Sequence, residues 1–251
     1  MILTTQGLVL HTTKYAETSI IAKVFTRELG LRSYIVKGIR SANGRHKQNL
    51  LQPLSHLDMT VYENPRKEMQ YIKEMQPSAH YHTIGDNSVK TALLFFMDEV
   101  LYKSLKEEEP NKPLFDYVVS ELNALNDNTA ALTTQPIQFL LHTARHLGIE
   151  PMDNYSHSEP LFNLKEGRFQ APPSAFAAAT NPNMHYCLDA PSSSNLHYFM
   201  AANHSSTAME SHHPTATQRN TTLSNLLEYY QVHLSEFRNF KSHEVLHAVL
   251  R

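Results

Sequence analysis

A chain of 251 residues is long enough to bury one large core or two small ones, and one cysteine, Cys187, excludes an internal disulfide framework and a cysteine-built zinc site. The formal net charge of −2 hides an asymmetry: residues 1–79 carry eleven basic and six acidic side chains, a net of +5, which leaves −7 for the remainder. No apolar run approaches the ~18 residues of a membrane-spanning helix, so no such helix is expected.

The opening MILTTQGLVLHTTK has no basic segment leading into a long apolar run. A cytoplasmic protein is therefore expected, neither secreted nor held by a membrane. Residues 6–13, 18–26, 31–39, 53–62 and 68–76 then read as five strands. Short alternating apolar runs recur there between turn signals, and no 3.6-residue period appears. Ile20, Ala22 and Val24 fall on one face, as do Leu57, Met59 and Val61, which predicts a sheet buried on one side. Gly30 marks a turn, and residues 38–47 a longer loop. Five strands in about eighty residues suit a small closed barrel, for which the OB-fold is the common solution. Residues 1–78 are expected to form that barrel and to bind nucleic acid.

After Pro77 the period becomes helical. Residues 88–105 carry Val89, Leu93, Phe96 and Val100 on one stripe behind a cap at Asn87 or Ser88. Residues 113–125 and 136–147 each begin with proline, and Gly148 stops the second. Residues 163–170 form a tight hairpin, 205–220 a polar loop, and 221–234 and 242–250 two more helices. The expected architecture is α+β: a five-stranded OB-type barrel, then an all-α domain over 79–251 with a small irregular insertion at 155–220.

The segment Lys37-Gly38-Ile39-Arg40-Ser41-Ala42-Asn43-Gly44-Arg45-His46-Lys47 puts four fixed positive charges at a strand end, with small residues between them that let a backbone approach. Clusters of this kind bind phosphates through counterion release. Lys37, Arg40, Arg45 and Lys47 are the candidate nucleic-acid contacts, with Arg32 and Lys14 as further ones. Tyr15, Tyr34, Tyr62 and Tyr71 are candidates for stacking on bases. The stripe Leu114, Phe115, Val118, Leu122 reads as core. If a groove exists in the helical part, Phe115, Leu141, Arg145 and Lys103 would take an apolar, acidic peptide end.

His243-Glu244-Val245-Leu246-His247 matches H-E-x-x-H, two metal ligands one helical turn apart with a base between them. Only four residues follow, without a third ligand, so a terminal helix with Val245, Leu246 and Val249 inward and surface histidines is expected. His142 and His146 share the same spacing, and His212 and His213 lie in the polar loop. No phosphate-cradling glycine loop and no nucleophile elbow is present, and Cys187 has no activating neighbour beyond His185. Neither an enzyme nor a cofactor is expected. A zinc hydrolase, an RNA-binding OB protein and a protein scaffold stand as alternatives.

The run GLVLHTTKYAETSIIAKVFTRELGLRSYIVKGIRS, followed by LLQPLSHLDMTVYE, resembles the start of the bacterial RecO family of recombination mediators. Glu17-Thr18-Ser19, Val24-Phe25-Thr26, Gly30, Val36-Lys37-Gly38 and Gln52-Pro53 fit that family in order and interval. The likeness continues through His146-Leu147-Gly148, the 163–169 segment and Leu226-Leu227-Glu228-Tyr229-Tyr230. It implies an OB-fold and a helical domain that bind single- and double-stranded DNA and anneal complementary strands. It also implies loading of the RecA recombinase onto strands coated by single-stranded-DNA-binding protein, with RecR as partner. Basic barrel residues serve DNA in the family, which falls here on Lys37 and Arg40 and then on Arg45 and Lys47. Many members hold zinc with four cysteines, and a chain with Cys187 alone departs from that pattern.

Overall fold

The computed structural model describes residues 1–39, 45–64, 66–106, 109–172, 186–204 and 214–250. Strands β1 (Ile2–Lys14), β2 (Ile20–Thr26), β3 (Gly30–Val36), β4 (His56–Tyr62) and β5 (Met69–Pro77) close into a barrel in the order β1-β2-β3-β5-β4. This is the α+β architecture and OB-type barrel that the sequence predicts. β1 is long because it serves two neighbours, pairing with β4 over Ile2–Leu8 and with β2 from Gly7 onward. A bulge between Val9 and His11 interrupts the β1–β2 ladder just past the end of the β4 pairing. The parallel pair β3·β5 closes the ring.

The expected alternation holds: Ala22, Val24, Leu57, Met59 and Val61 are buried together with Val9 and Tyr34, and Ile20 packs against them. Gly30, at φ +72°, makes the turn into β3 in the left-handed region that glycine tolerates best. Gly7 is required by space instead. A Cβ there would lie 2.5 Å from Met59 Cε and 2.6 Å from Val24 Cγ1. Gly7→Ala is therefore expected to cost about 1–3 kcal/mol by overpacking the barrel, read as a lower midpoint in urea denaturation with an unchanged slope.

The basic segment departs from the expected loop. A short helix, α1 (Arg45–Asn49), occupies its end, so Arg45 and Lys47 lie on a helical turn. Arg40 falls outside the described residues, and so does the Arg45 side chain.

Helices α2 (His82–Gly85), α3 (Ser88–Ser104) and α4 (Lys112–Asn126) follow. Asn87 caps α3, its side-chain oxygen accepting from the Val89 and Lys90 amides at 2.9 and 3.2 Å, and Asn111 does the same for Leu114 at 3.1 Å. Phe115 of α4 sits against Phe25 of the barrel, ring centroids 5.5 Å apart, and Arg27 donates to both carboxylate oxygens of Asp116 at 2.7 and 2.9 Å. Lys90, almost wholly buried, donates to Thr83 Oγ1 at 2.7 Å and to the Asn126 carbonyl at 3.3 Å. Contacts of this kind gather Met1–Ala130 into one compact unit and Ala131–Arg251 into a second. β5 ends at Pro77, next to the boundary expected at 78/79, and the first compact unit runs on to Ala130 because α2–α4 pack with the barrel.

In the second unit, α5 (Gln135–His146) ends before Gly148, at φ +73°, and β6 (Leu161–Asn163) with β7 (Arg168–Gln170) forms the expected hairpin. The insertion is less irregular than predicted, since it contains a fifteen-residue helix, α6 (Ala190–His204). Its apolar stripe of Leu196, Phe199 and Met200 is buried, but Pro191 and three serines ahead of it obscure the period. Helix α7 (Ala216–His233) starts inside the segment expected as loop. Thr215 supplies the reason through a capping box with Gln218, which satisfies two amides at the first turn. Tyr230 of α7 is fully buried and donates to the Leu140 carbonyl of α5 at 2.6 Å. The terminal helix α8 (Ser242–Val249) buries Leu246, whereas Val245, expected inward, is 54% exposed, because an eight-residue helix reaches the core along a single row. Among the described residues no helix is long and apolar enough to cross a membrane.

Candidate nucleic-acid interface

Residues from four elements meet where β3 and β5 run side by side. Lys37 follows the last residue of β3 and is exposed, with its Nζ 4.9 Å from the centroid of the Tyr71 ring. That distance is within cation–π range and fixes the direction of a long side chain. Tyr71 on β5 stands directly opposite Tyr62 on β4 in register, and Tyr62 is 44% exposed. Lys73 lies two residues on, at a bulge where Thr60 pairs with Glu74 and Val61 with Ile72, so that Lys73 itself has no partner across the ladder. Bulges of this kind re-aim a side chain. Lys47 from α1 completes a groove of about 730 Å³ with Ile35, Val36, Leu50, Ile72 and Met75 as its apolar wall.

The groove therefore offers three ammonium groups and a cross-strand tyrosine pair over an apolar base. Its acidic member, Glu74, approaches Lys73 at 3.8 Å with both side chains well exposed. An exposed pair of that length is worth little and is given up readily to a phosphate. Lysines follow the backbone of a nucleic-acid strand by charge, and the tyrosine faces accept bases whatever their identity.

The other sequence candidates take different places. Arg32 reaches toward Glu63, Nε to Oε2 at 3.9 Å, and Lys14 is exposed at the far end of β1. Tyr34 is core: its hydroxyl donates to Glu63 at 3.0 Å, and burial followed by the Glu63 charge raises its pKa far above the ordinary tyrosine value. Tyr15 is exposed in the β1–β2 turn, away from the groove lining. Phe115 and Leu141 are both buried, which removes them as a surface for a peptide. Lys103 pairs with Glu99 at 3.6 Å and Arg145 with Glu150 at 2.7 Å. Lys73 is the residue that sequence reasoning missed. Its charge two residues after Tyr71 is legible in the sequence, whereas the bulge that aims it is not.

The histidine pairs gather nothing further. Among the described residues no group of three or more His, Cys, Asp or Glu is placed to hold a metal. His243 and His247 meet edge to face at 5.7 Å with Glu244 exposed, and burial followed by the His243 charge keeps His247 below its ordinary value. Burial, then His142 and Arg145, lowers His146 as well. His212, His213 and His185 lie outside the described residues. Burial holds the Cys187 thiol above its usual value against a Gln170 amide donating to its sulfur at 3.0 Å, so it is a poor thiolate.

A four-thiolate zinc site does not fit this chain, for Cys187 supplies the single sulfur donor. Hydrogen bonds and ring stacking tie the β6–β7 hairpin to residues 153–155 and to α6. Asn154 accepts from the Phe169 amide and donates to its carbonyl, both at 2.9 Å, while Asp153 meets His197 at 2.7 Å beneath a stacked Tyr155 ring.

Residues 1–81 match the family described as Recombination protein O N terminal, and residues 86–158 the one described as Recombination protein O C terminal. Over its whole length the chain is similar to proteins called DNA repair protein RecO. It is 30% identical to the one from Christiangramia forsetii over 250 residues, 99% of each chain. It is 30% identical to that of Phocaeicola vulgatus over 246 residues and to that of Flavobacterium psychrophilum over 254, in both cases 98% of each chain.

Proposed function

Because the chain belongs to the RecO family of DNA repair proteins, we propose that it is a recombination mediator that gathers and aligns DNA strands by electrostatics, without a catalytic step. The barrel, residues 1–78, binds nucleic acid, and the protein as a whole binds single- and double-stranded DNA, anneals complementary strands and helps load RecA onto strands coated by single-stranded-DNA-binding protein, with RecR as partner. It works in the cytoplasm, on the nucleoid. The observation that carries this reading is the convergence of Lys37, Lys47 and Lys73 on the Tyr62–Tyr71 pair. Arg40 and Arg45 extend the charge along the same segment, and Arg32 and Lys14 add to the field of a barrel whose net charge is positive.

Mechanistically, the lysines neutralise phosphates on two strands that would otherwise repel each other, and the released counterions supply the driving force. Bases held on tyrosine faces remain unpaired and available to a complement. The test is annealing of two complementary labelled oligonucleotides, bare and coated with single-stranded-DNA-binding protein. The expected result is a rate enhancement that disappears above about 0.3 M salt, where the ~6 Å screening length isolates neighbouring charges. An annealing rate unaltered by the protein at low salt would sink the proposal.

A further inference from the structure

We propose that a second, uncharged cavity beside the lysine groove receives an unpaired nucleobase of the bound strand. This inference rests on the nucleic-acid reading of the groove and assigns it a base-reading site. The cavity measures about 660 Å³ and lies among α1, β4, α2 and α3, with Leu50 as the wall it shares with the groove. A strand crossing Lys47 therefore reaches it without leaving the surface.

Its lining selects the occupant. Four leucines, two prolines and the ring of Phe95, 48% exposed, supply its apolar wall, neutral polar side chains and histidines that include His80 and His82 share the lining, and no Asp, Glu, Lys or Arg does. A phosphate or a carboxylate would find no counter-charge there. A neutral, planar ring with hydrogen-bonding edges meets both demands of the site, apolar contact on its faces and buried polar partners for its edge.

Those polar partners are present and unused. His56 is 6% exposed, and neither of its ring nitrogens has a hydrogen-bond partner among the described residues. The Tyr81 hydroxyl is in the same condition. Burial lowers the basicity of His56 against a weaker opposing effect of Asp58, so its imidazole is neutral near pH 7 and offers one donor and one acceptor. Burial also holds the Tyr81 hydroxyl protonated, its pKa pushed up to about 12, so it can donate. Buried polar atoms without partners are uncommon in native proteins, and a base edge supplies what both groups lack. Solvent does not reach these atoms, and the His56 ring stands edge-on to Phe115 at 5.8 Å, so base capture requires that ring to turn toward the cavity.

The experiment compares the full chain with Tyr81→Phe and Phe95→Ala in binding two labelled single strands of equal length, one intact and one with its bases removed. Tyr81→Phe keeps the shape of the ring and Phe95 is a surface residue, so both variants fold. Each is expected to bind the intact strand about three- to tenfold more weakly, as loss of one uncharged hydrogen bond or one aromatic contact implies. Affinity for the abasic strand and the salt dependence should stay unchanged. Variants that bind the intact strand as tightly as the parent overturn base capture and leave the cavity to an apolar side chain of a protein partner. A parent chain that binds neither strand overturns the groove along with the cavity.

Discussion

Replacing Lys37, Lys47 and Lys73 together by glutamate should lower the affinity for a single-stranded oligonucleotide about a hundredfold or more at roughly 0.1 M salt. On a single strand each neutralised phosphate contributes about 0.7 to the slope of log K against log salt, so three contacts account for about two decades at that concentration. Repulsion from the new carboxylates adds to the loss. Lys37 and Lys47 are exposed, and Lys73 sits at a bulge without a cross-strand partner, so the fold has little at stake. Surface changes of this kind stay within about 0.5 kcal/mol each. The triple variant should melt within a few degrees of the parent while its strand binding collapses. Undiminished binding by a folded triple variant would place the interface elsewhere.

A second large effect is expected from Asp98→Asn, on stability and its pH dependence. Asp98 on α3 is partly buried, and its Oδ1, sealed from solvent, has no hydrogen-bond partner among the described residues. Burial, followed by the neighbouring Glu99 charge, pushes its pKa up to about 8. In the unfolded chain an aspartate titrates near 4. The folded protein therefore holds this proton more tightly than the unfolded one, and the sign follows. Stability is unaffected by the group below about pH 4, falls as pH rises between about 4 and 8, and is level above that. At about 1.4 kcal/mol per pH unit for one proton, the loss between pH 5 and 8 is up to about 4 kcal/mol. Asparagine cannot ionise, so the variant should lack this slope and be the more stable protein at pH 8. Urea denaturation of both proteins at pH 5 and pH 8 measures the difference directly. Parallel stabilities at the two pH values would show that Asp98 is solvated or paired in solution.

The parts of this architecture that follow from local chemistry are readable in the sequence. The barrel strands are, because Ala22/Val24 and Leu57/Met59/Val61 must alternate to bury one face, and the ends of α3 and α5 are, because Asn87 and Gly148 have backbone roles that few residues fill. The site was legible in composition but not in geometry. Lys37 and Lys47 stand out as charges, whereas the pairing of Tyr62 with Tyr71 depends on a register fixed by long-range closure of the barrel. The four candidate tyrosines look alike in sequence, and only folding separates Tyr34, sealed in the core, from Tyr62 at the surface. Helix α6 escaped because its serines and proline carry no period, although Ser193 earns its buried position by accepting the Phe162 amide at 2.9 Å. Val245 was misplaced for the opposite reason, since an apolar residue on a short helix is not obliged to face inward.

The most direct test of the central claim is the anisotropy of a labelled single-stranded oligonucleotide titrated with the full chain at several salt concentrations. The three groove lysines predict a slope of log K against log salt near −2, and Arg40 and Arg45, if they join, steepen it to about −3.5. Affinity should then fall roughly 15- to 130-fold between 50 and 200 mM salt. Absence of binding at 50 mM, or binding indifferent to salt, would contradict the account.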